Sequence, residues 1–407
     1  MTMEYLKNKP VAVLGSGAVG KTIAADCKLA GSEVRLYGSE EFAEKSLGRL
    51  DRTGITLGGI QRNRDCFERS GRAYVDVVTS DIAEAVKGAG IICVATTAWR
   101  HEELFRKLVP VLEDEQVVMI FTDNWGSLLL RKIMRDAGCT KRVIVGGWSS
   151  APYGTRLENV NGYRFPKLNV KYRAVTLRGA ALPDSDTAKF LEASKYLPSM
   201  DSVTQGDGAV KGDTVLDIDF ANVNPVIHVP ASVLGVGVME NWGVLFGEGE
   251  YSMYSHALCK SICEVQYKFY GEEISIAQKI GVGCPVYKRD MFFSRRSILT
   301  QEYMGLDNDG NDNIVFPLDK PSHEGSTGPD SINHRYLTED IPVSCKMYHD
   351  LGKIYGVETP VIDSMITLGG AFHGRDFFTE SRYSPEYLGI GGMSREKLVH
   401  YLRTLED

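Results

Sequence analysis

Val11-Ala-Val-Leu-Gly-Ser-Gly-Ala-Val-Gly-Lys21 is the stretch that decides the fold of the N-terminal half. An apolar, β-branched run ends in three glycines, and a helical pattern follows directly. Gly15 permits a tight turn from strand to helix, Gly17 leaves room for a pyrophosphate at the backbone, and Gly20 allows the helix to pack closely on the strand. The first turn of the helix then offers free N–H groups to phosphates. This context predicts a dinucleotide site rather than a glycine turn with only a packing role. The predicted contacts are Gly15, Ser16, Gly17, Ala18, Val19 and Gly20.

The composition of the 407-residue chain is that of a globular protein of two or three domains, because 43% of its residues are hydrophobic and 24% are charged. A net charge of −7, without a basic stripe, argues against nucleic acid as a partner. The N-terminal residues lack the apolar core of a signal peptide, and no apolar run approaches the ~20 residues that span a bilayer. The eight cysteines are scattered and supply no metal-ligand set. We therefore expect a cytoplasmic protein with reduced thiols and with neither a membrane nor a metal partner.

Strand and helix patterns alternate with short connections along the first 145 residues, which is typical of a doubly wound, mostly parallel sheet. Strands are predicted at residues 11–15, 34–37, 90–96, 116–122 and 142–145, and helices at 18–30, 41–50, 81–87, 101–112 and 127–137. Residues 51–80 are predicted to form a small irregular or β excursion.

Residues 150–213 continue this domain. They are predicted to contain a strand at 174–177, a helix at 186–196, a short strand at 202–204 and a polar linker at 205–213. Helical patterns then dominate, over residues 251–280, 340–355 and 394–405, and residues 289–334 form a polar segment rich in Asp, Asn and Gly. The predicted fold class is an α/β Rossmann domain at 1–213 followed by an all-α domain at 214–407. The long helix suits either the core of its own domain or the interface of a homodimer.

The second strand ends without the acidic residue that contacts the ribose 2′-OH of NAD in this architecture. The expected position falls at Gly38 or Ser39, which carry no charge and leave room for a 2′-phosphate. Glu40 and Glu41 follow directly and would repel such a phosphate, and the nearest cations, Arg35 and Lys45, are not obviously placed to offset them. The predicted cofactor is therefore NADP or NAD, with a slight preference for NADP, and Ser39 is a predicted cofactor contact.

The strand at 90–96 brings two further candidates to the edge of the sheet where ligands collect in open α/β folds. Thr96 ends the strand and is a predicted cofactor contact. His101 follows it and is a candidate for substrate binding. The alternative for His101 is a surface histidine that starts a helix.

Asn222-Val-Asn-Pro-Val-Ile-His228-Val-Pro230 opens the helical half. A histidine among apolar residues and prolines suits proton transfer, because its ordinary pKa lies near neutrality. The alternative is a satisfied core histidine. Further on, Arg335 is suited to clamp a carboxylate, and Asp340 to orient a histidine ring. The alternative there is an ordinary helix N-terminus rich in Thr, Glu and Asp.

Together these motifs resemble the opine dehydrogenases, the family of octopine and nopaline dehydrogenases. The matching stretches are residues 15–20, 97–102, 151–156, the segment around His228, and 335–342. The resemblance covers almost the whole chain in the same domain order. It implies NAD(P)H-dependent reductive condensation of an α-keto acid, pyruvate by family habit, with the amino group of an amino acid.

The resemblance also implies roles for individual residues. His228 would be the catalytic acid and base, and Asp340 its partner, while Arg335 would bind the keto-acid carboxylate. The remaining assignments are His101 and Asn224 as substrate contacts and Arg156 as a cofactor contact. The family's His-Pro dipeptide is His228-Val-Pro230 here, so the local geometry is expected to differ.

Two other functions fit the same plan. An oxidoreductase of the ketopantoate-reductase type would reduce a 2-keto acid without an amine, and usually relies on a catalytic lysine. A non-catalytic, dinucleotide-sensing protein would not need His228, Arg335 and Asp340 together.

Overall fold

The computed structural model describes residues 3–41, 46–48, 50–59, 69–160, 163–206, 208–247, 249–284, 286–293 and 327–406. Contacts among them divide the chain into two compact units. The first contains residues up to Asp219 together with the C-terminal residues from Val399, and the second contains described residues between Phe220 and Leu398. The division at 213/214, predicted for the folding domains, stays a prediction.

The first unit contains a large, mostly parallel sheet. The strands of its described residues are β1 Val11–Leu14, β2 Val34–Tyr37, β3 Ile55–Gly58, β4 Gly71–Ala73, β5 Val77–Thr79, β6 Ile91–Val94, β7 Val117–Phe121, β8 Ile144–Trp148, β9 Tyr153–Val160, β10 Tyr163–Arg173, β11 Leu177–Ala181 and β12 Ala209–Lys211. Eight of them form one sheet in the order β12-β11-β8-β7-β6-β1-β2-β5. Neighbours are parallel except β11, which runs antiparallel to β8. The predicted doubly wound Rossmann sheet is confirmed.

β1 is central in this sheet, with Val11 opposite both Val34 of β2 and Ile91 of β6. Every residue of β1, β6 and β7 is buried, which explains their unbroken apolar runs, since a parallel sheet is covered on both faces. The α-helices among the described residues of this unit are Ala18–Leu29, Leu50–Thr53, Ile82–Val86, His101–Leu108, Gly126–Asp136, Thr187–Ser194, Asp201–Thr204 and Val215–Asp219.

A second, four-stranded sheet in the order β4-β3-β10-β9 belongs to the same unit. A buried ion pair fixes it to the helix that follows the glycines. Both terminal nitrogens of Arg173, on β10, donate to the carboxylate of Asp26 at 2.8 Å, and both side chains are almost fully buried. The hydroxyl of Tyr153 donates to the same carboxylate. Of the strands in the excursion predicted at residues 51–80, β3 and β4 belong to this sheet, and β5 belongs to the large sheet.

Replacing Asp26 with asparagine is expected to lower the free energy of unfolding by about 3–5 kcal/mol, because the guanidinium of Arg173 would lose its buried counter-ion. Urea denaturation followed by circular dichroism measures the change. Asp76→Asn is the matched control, since its ion pair with Lys28 on the same helix is partly exposed and is expected to be worth at most about 1 kcal/mol. Equal losses in the two variants would contradict the structural role given to Asp26.

Three predictions for the end of this unit are wrong. Residues 202–204 belong to helix Asp201–Thr204 rather than to a strand, and Ser202 Oγ donates to the carbonyl of Ala174 at 2.6 Å. A short β-branched run does not distinguish strand from helix. The predicted linker at 205–213 contains β12, which pairs with β11 from Leu177 onward. The strand predicted at 174–177 begins at Leu177, where it was expected to end.

The second unit is helical, as predicted, and no strand lies among its described residues. Its α-helices are Asn224–Leu234, Val236–Glu240, Trp242–Phe246, Lys260–Ile280, Arg289–Phe293, Arg335–Thr338, Lys346–Tyr355, Pro360–His373 and Phe377–Glu380, and Arg395–Thr404 starts in it. Most of the polar segment predicted at 289–334, and part of the helix predicted at 41–50, lie outside the described residues.

Two helices predicted as continuous begin with a π-helical turn. Residues 251–280 contain the turn Met253–Ala257, and the α-helix starts only at Lys260. Residues 340–355 contain the turn Ile341–Cys345 before the α-helix at Lys346. Wide turns of this kind are rare and are often found at functional sites. None of the described helices is long and apolar enough to cross a bilayer.

Candidate active site

The glycine turn after β1 has the geometry that a dinucleotide requires. Gly15 has φ +126°, and a Cβ there would lie 2.4 Å from the carbonyl oxygen of Ala95. A Cβ on Gly20 would lie 1.8 Å from the carbonyl oxygen of Gly15, so neither position accepts a side chain. A Cβ on Gly17 would meet nothing within 4 Å, which leaves the start of helix Ala18–Leu29 open to a phosphate.

A cleft of about 1800 Å³ in the first unit opens at this turn. Five predicted cofactor residues line it, namely Gly15, Ser16, Gly17, Ser39 and Thr96. Four others are not part of its lining, namely Ala18, Val19, Gly20 and Arg156. Sequence analysis missed Lys21, which lines the cleft and donates from Nζ to the carbonyl oxygen of Ser16 at 2.7 Å. Its signal was available, since it directly follows the third glycine.

At the end of the cleft near β2, the positions where NAD-binding proteins carry an acidic residue are Gly38 and Ser39, which have no charge. A Cβ on Gly38 would lie 2.6 Å from Ser16 Oγ, so this position must stay small. Arg35 is engaged elsewhere, with Glu33 and with backbone carbonyls. Other cations line the cleft, namely Arg52, Arg72, Arg100, Lys107 and Lys167, together with the carboxylates of Glu103 and Glu158.

His101 starts helix His101–Leu108, but it is buried rather than on the surface, with 1% of its area exposed. Its ring stacks on Phe105 at 5.0 Å between centroids. Burial lowers the pKa of this imidazole to about 4. The ring is therefore neutral at physiological pH and packed in the core. Its predicted role in substrate binding stays a prediction that this burial does not favour.

In the second unit, His228 and Asp340 meet although 112 residues separate them in the chain. His228 Nδ1 lies 2.8 Å from Asp340 Oδ2, and both side chains are at most 4% exposed. The ring of Tyr336 stacks on the imidazole with 3.5 Å between centroids and 17° between planes. This is the arrangement in which a carboxylate holds one tautomer and leaves Nε2 to exchange protons.

The helix Asn224–Leu234 that carries His228 is shaped by two prolines. Pro225 fits the first turn, but Pro230 lies in the interior and lacks the N–H that would bond back to the preceding turn. Gln266, on helix Lys260–Ile280, donates from Nε2 to the carbonyl of Ile227 at 3.0 Å, one residue before His228. A buried amide from another helix thus supports the backbone at the catalytic candidate.

Asn224 and Arg335 lie close in the chain to the two residues of this pair. Asn224 is on the same helix as His228, and Arg335 precedes Asp340 by five residues. Asn224 is half-buried and precedes His228 by four residues, so both side chains are on one face of their helix. Arg335 starts helix Arg335–Thr338, and 46% of its side chain is exposed. Its guanidinium lies 5.4 Å from the ring centre of Tyr336 and 3.9 Å from the carboxylate of Glu339. An exposed cation beside a buried acid–base pair is suited to hold the carboxylate of a substrate.

Burial raises the pKa of the Asp340 carboxyl to about 7, and the positive charge of Arg335 acts in the opposite direction. The charge of the Asp340 carboxyl, and with it the support this carboxyl gives to a protonated His228, therefore changes close to neutral pH.

The Rossmann sheet, its glycine turn and a helical unit with a buried acid–base pair define the class of NAD(P)-dependent oxidoreductases. Residues 10–124 match the model of the NAD-dependent glycerol-3-phosphate dehydrogenase N-terminus. Residues 211–373 match that of the NAD/NADP octopine/nopaline dehydrogenase alpha-helical domain. The helical half of the chain therefore matches the octopine/nopaline dehydrogenase family.

Similar proteins agree with this. An opine dehydrogenase from Arthrobacter sp. (strain 1C) is 27% identical over 394 residues, covering 96% of this chain and 97% of the relative. A solved structure of octopine dehydrogenase with NADH and pyruvate has a TM-score of 0.66 and 18% identity, covering 98% of each chain. A structure of yersinopine dehydrogenase with NADP⁺ bound has a TM-score of 0.64 and 13% identity, again covering 98% of each chain.

Proposed function

We propose that this protein catalyses the NAD(P)H-dependent reductive condensation of an α-keto acid, with pyruvate as the first candidate, with the amino group of an amino acid, and the reverse oxidation. The observation that carries the proposal is the buried His228–Asp340 pair, on helices of a unit that matches the family's helical domain. The neighbouring Arg335 supplies the carboxylate clamp that a keto acid needs.

Each residue has one task in this reaction. Arg335 holds the keto-acid carboxylate, and Asn224 borders the substrate. The amine attacks the carbonyl carbon, the oxygen takes a proton from Nε2 of His228 to become a hydroxyl, and the amine nitrogen then returns a proton to Nε2. A second proton from Nε2 lets the hydroxyl leave as water while the C=N bond forms. Asp340 stabilises the imidazolium when the ring carries both protons. NAD(P)H supplies the hydride that adds to the C=N carbon, and the glycine turn of the first unit is suited to hold this cofactor.

A matrix of keto acids against amino acids, run separately with NADH and NADPH, tests the proposal. We expect oxidation of the cofactor only when both substrates are present. Equal rates with keto acid alone would instead support a simple keto-acid reductase. No turnover with any pair, under conditions where the cofactor binds, would support a non-catalytic sensor.

We also propose that NADPH is preferred over NADH, because Ser39 is uncharged and cations such as Arg52, Arg72 and Lys107 line the same cleft. Ser39→Asp is expected to weaken NADPH binding by about 10-fold or more, through repulsion of the 2′-phosphate, while NADH affinity holds or rises. Fluorescence titration of each cofactor gives the two dissociation constants. Ser39→Ala is the control, since it removes the hydroxyl without adding charge. An unchanged ratio of the two constants in Ser39→Asp would place the 2′-phosphate elsewhere.

Formation of a homodimer and a location in the cytoplasm also stay predictions. Light scattering of the purified protein measures the mass in solution and decides the first.

A further inference from the structure

Tyr254 is a contact of the acid–base pair that the sequence did not reveal. Its hydroxyl lies 3.3 Å from Nε2 of His228, the nitrogen that Asp340 leaves available. The imidazole thus lies between two partners, with the carboxyl at one ring nitrogen and the phenol at the other. The phenol therefore occupies the position that a substrate oxygen must reach to receive a proton from Nε2.

The π-helical turn Met253–Ala257 fixes Tyr254 at this place. Ser252 caps the turn, with its side chain accepting from the N–H of Ser255 and its own N–H donating to Nδ1 of His256 at 3.0 Å. The side chain of Met253, the first residue of the turn, is fully buried and holds the turn against the core. Because an ordinary α-helical turn has a different pitch, the wide turn determines where the Tyr254 hydroxyl lies.

Tyr254 also lies within electrostatic reach of Arg335. The pKa of that guanidinium is raised above its ordinary value by the groups around it, namely Glu339, Tyr336, Asp340 and Tyr254. A keto acid whose carboxylate is held by Arg335 has its carbonyl oxygen one carbon away from that carboxylate. The oxygen then falls among the same groups.

We propose, building on the reaction proposed above, that Tyr254 is a second hydrogen-bond donor to the carbonyl oxygen of the keto acid. When the keto acid is bound, the phenol donates to this oxygen instead of to Nε2 of His228. As the C–N bond forms, the electrons of the C=O double bond move to oxygen, and this oxygen takes a proton from Nε2. Tyr254 keeps its proton and stabilises the developing negative charge by hydrogen bonding. Its contribution belongs to the steps in which the oxygen gains charge and leaves as water.

Tyr254→Phe tests this role. The turnover number for condensation is expected to fall by roughly 10²-fold, the usual effect of removing one donor to a developing oxyanion. The KM for the keto acid is expected to change little, because Arg335 still holds the carboxylate. In a ¹⁵N spectrum the Nε2 resonance of His228 is expected to move, because its phenol partner is gone, and this readout does not depend on activity.

Tyr251→Phe is the matched control. Tyr251 lies three residues earlier in the chain, is 6% exposed, and carries a buried hydroxyl that makes no hydrogen bond within the described part of the structure. We expect Tyr251→Phe to keep wild-type turnover and an unmoved Nε2 resonance. Wild-type turnover in Tyr254→Phe would overturn the role of Tyr254 and leave the proposed reaction intact. A wild-type enzyme inactive with every substrate pair would instead overturn the reaction itself.

Discussion

Replacing His228 with alanine is expected to lower the turnover number by roughly 10²- to 10⁴-fold, the usual contribution of a general acid and base. In the proposed reaction the imidazole gives a proton to the departing oxygen, and alanine leaves Asp340 without its partner at 2.8 Å. Initial rates at saturating keto acid, amino acid and cofactor measure the loss. The dissociation constant of NAD(P)H is expected to stay unchanged, because the glycine turn belongs to the first unit.

The chain itself offers the control for this variant. His349 forms a similar pair with Asp363, with 2.8 Å between Nδ1 and Oδ1, on other helices of the second unit. His349→Ala removes a histidine from a pair of the same length and is expected to leave turnover near the wild-type value. If both variants lose activity equally, or if His228→Ala keeps it, His228 is not the acid and base.

The second large effect is expected from Asp340→Asn, which keeps the shape of the side chain and removes its charge. An asparagine no longer stabilises the imidazolium of His228 and also permits the wrong tautomer, so turnover is expected to fall by roughly 10²- to 10⁴-fold. Asp363→Asn is the matched control for the loss of a histidine-bound carboxylate. A small effect of Asp340→Asn would mean that the histidine acts without the charge of its partner.

The pH dependence of kcat/KM gives an independent check on the same pair. Because burial raises the pKa of Asp340 to about 7, the carboxyl is protonated below this pH and does not stabilise the imidazolium. Activity is therefore expected to rise as pH increases through about 7, apart from the titration of the amine substrate. In Asp340→Asn this acid limb is expected to disappear. An unchanged profile in the variant would assign the limb to another group.

Local patterns in the sequence were sufficient for the Rossmann sheet and its glycine turn, since each strand and helix there has its own periodicity. They failed where pairing partners are distant in the chain. β12 is a strand because β11 lies beside it, although it has only three residues and lies in a polar stretch that contains Gly206 and Gly208. The helix Asp201–Thr204 contains β-branched residues, which favour a strand locally. Its helical form is supported by a tertiary contact, the hydrogen bond from Ser202 to Ala174.

The acid–base pair was predicted through motifs of the family, but its surroundings were not. The π-helical turns Met253–Ala257 and Ile341–Cys345 have ordinary helical periodicity, and nothing local marks the extra residue in each turn. One turn carries Tyr254, and the other begins directly after Asp340. Both side chains contact a histidine more than twenty residues away in the chain, and no local pattern reveals such a contact.

The lining of the cleft at the glycine turn has a consequence for how fast a dinucleotide would arrive there. Six cationic side chains and two carboxylates face this cleft, while the chain as a whole carries a net charge of −7. The cleft is thus a positive region in an acidic protein, and it attracts the phosphates of an approaching dinucleotide against the repulsion of the rest of the surface. Association should slow as ionic strength rises and the Debye length contracts from about 10 Å at 0.1 M salt.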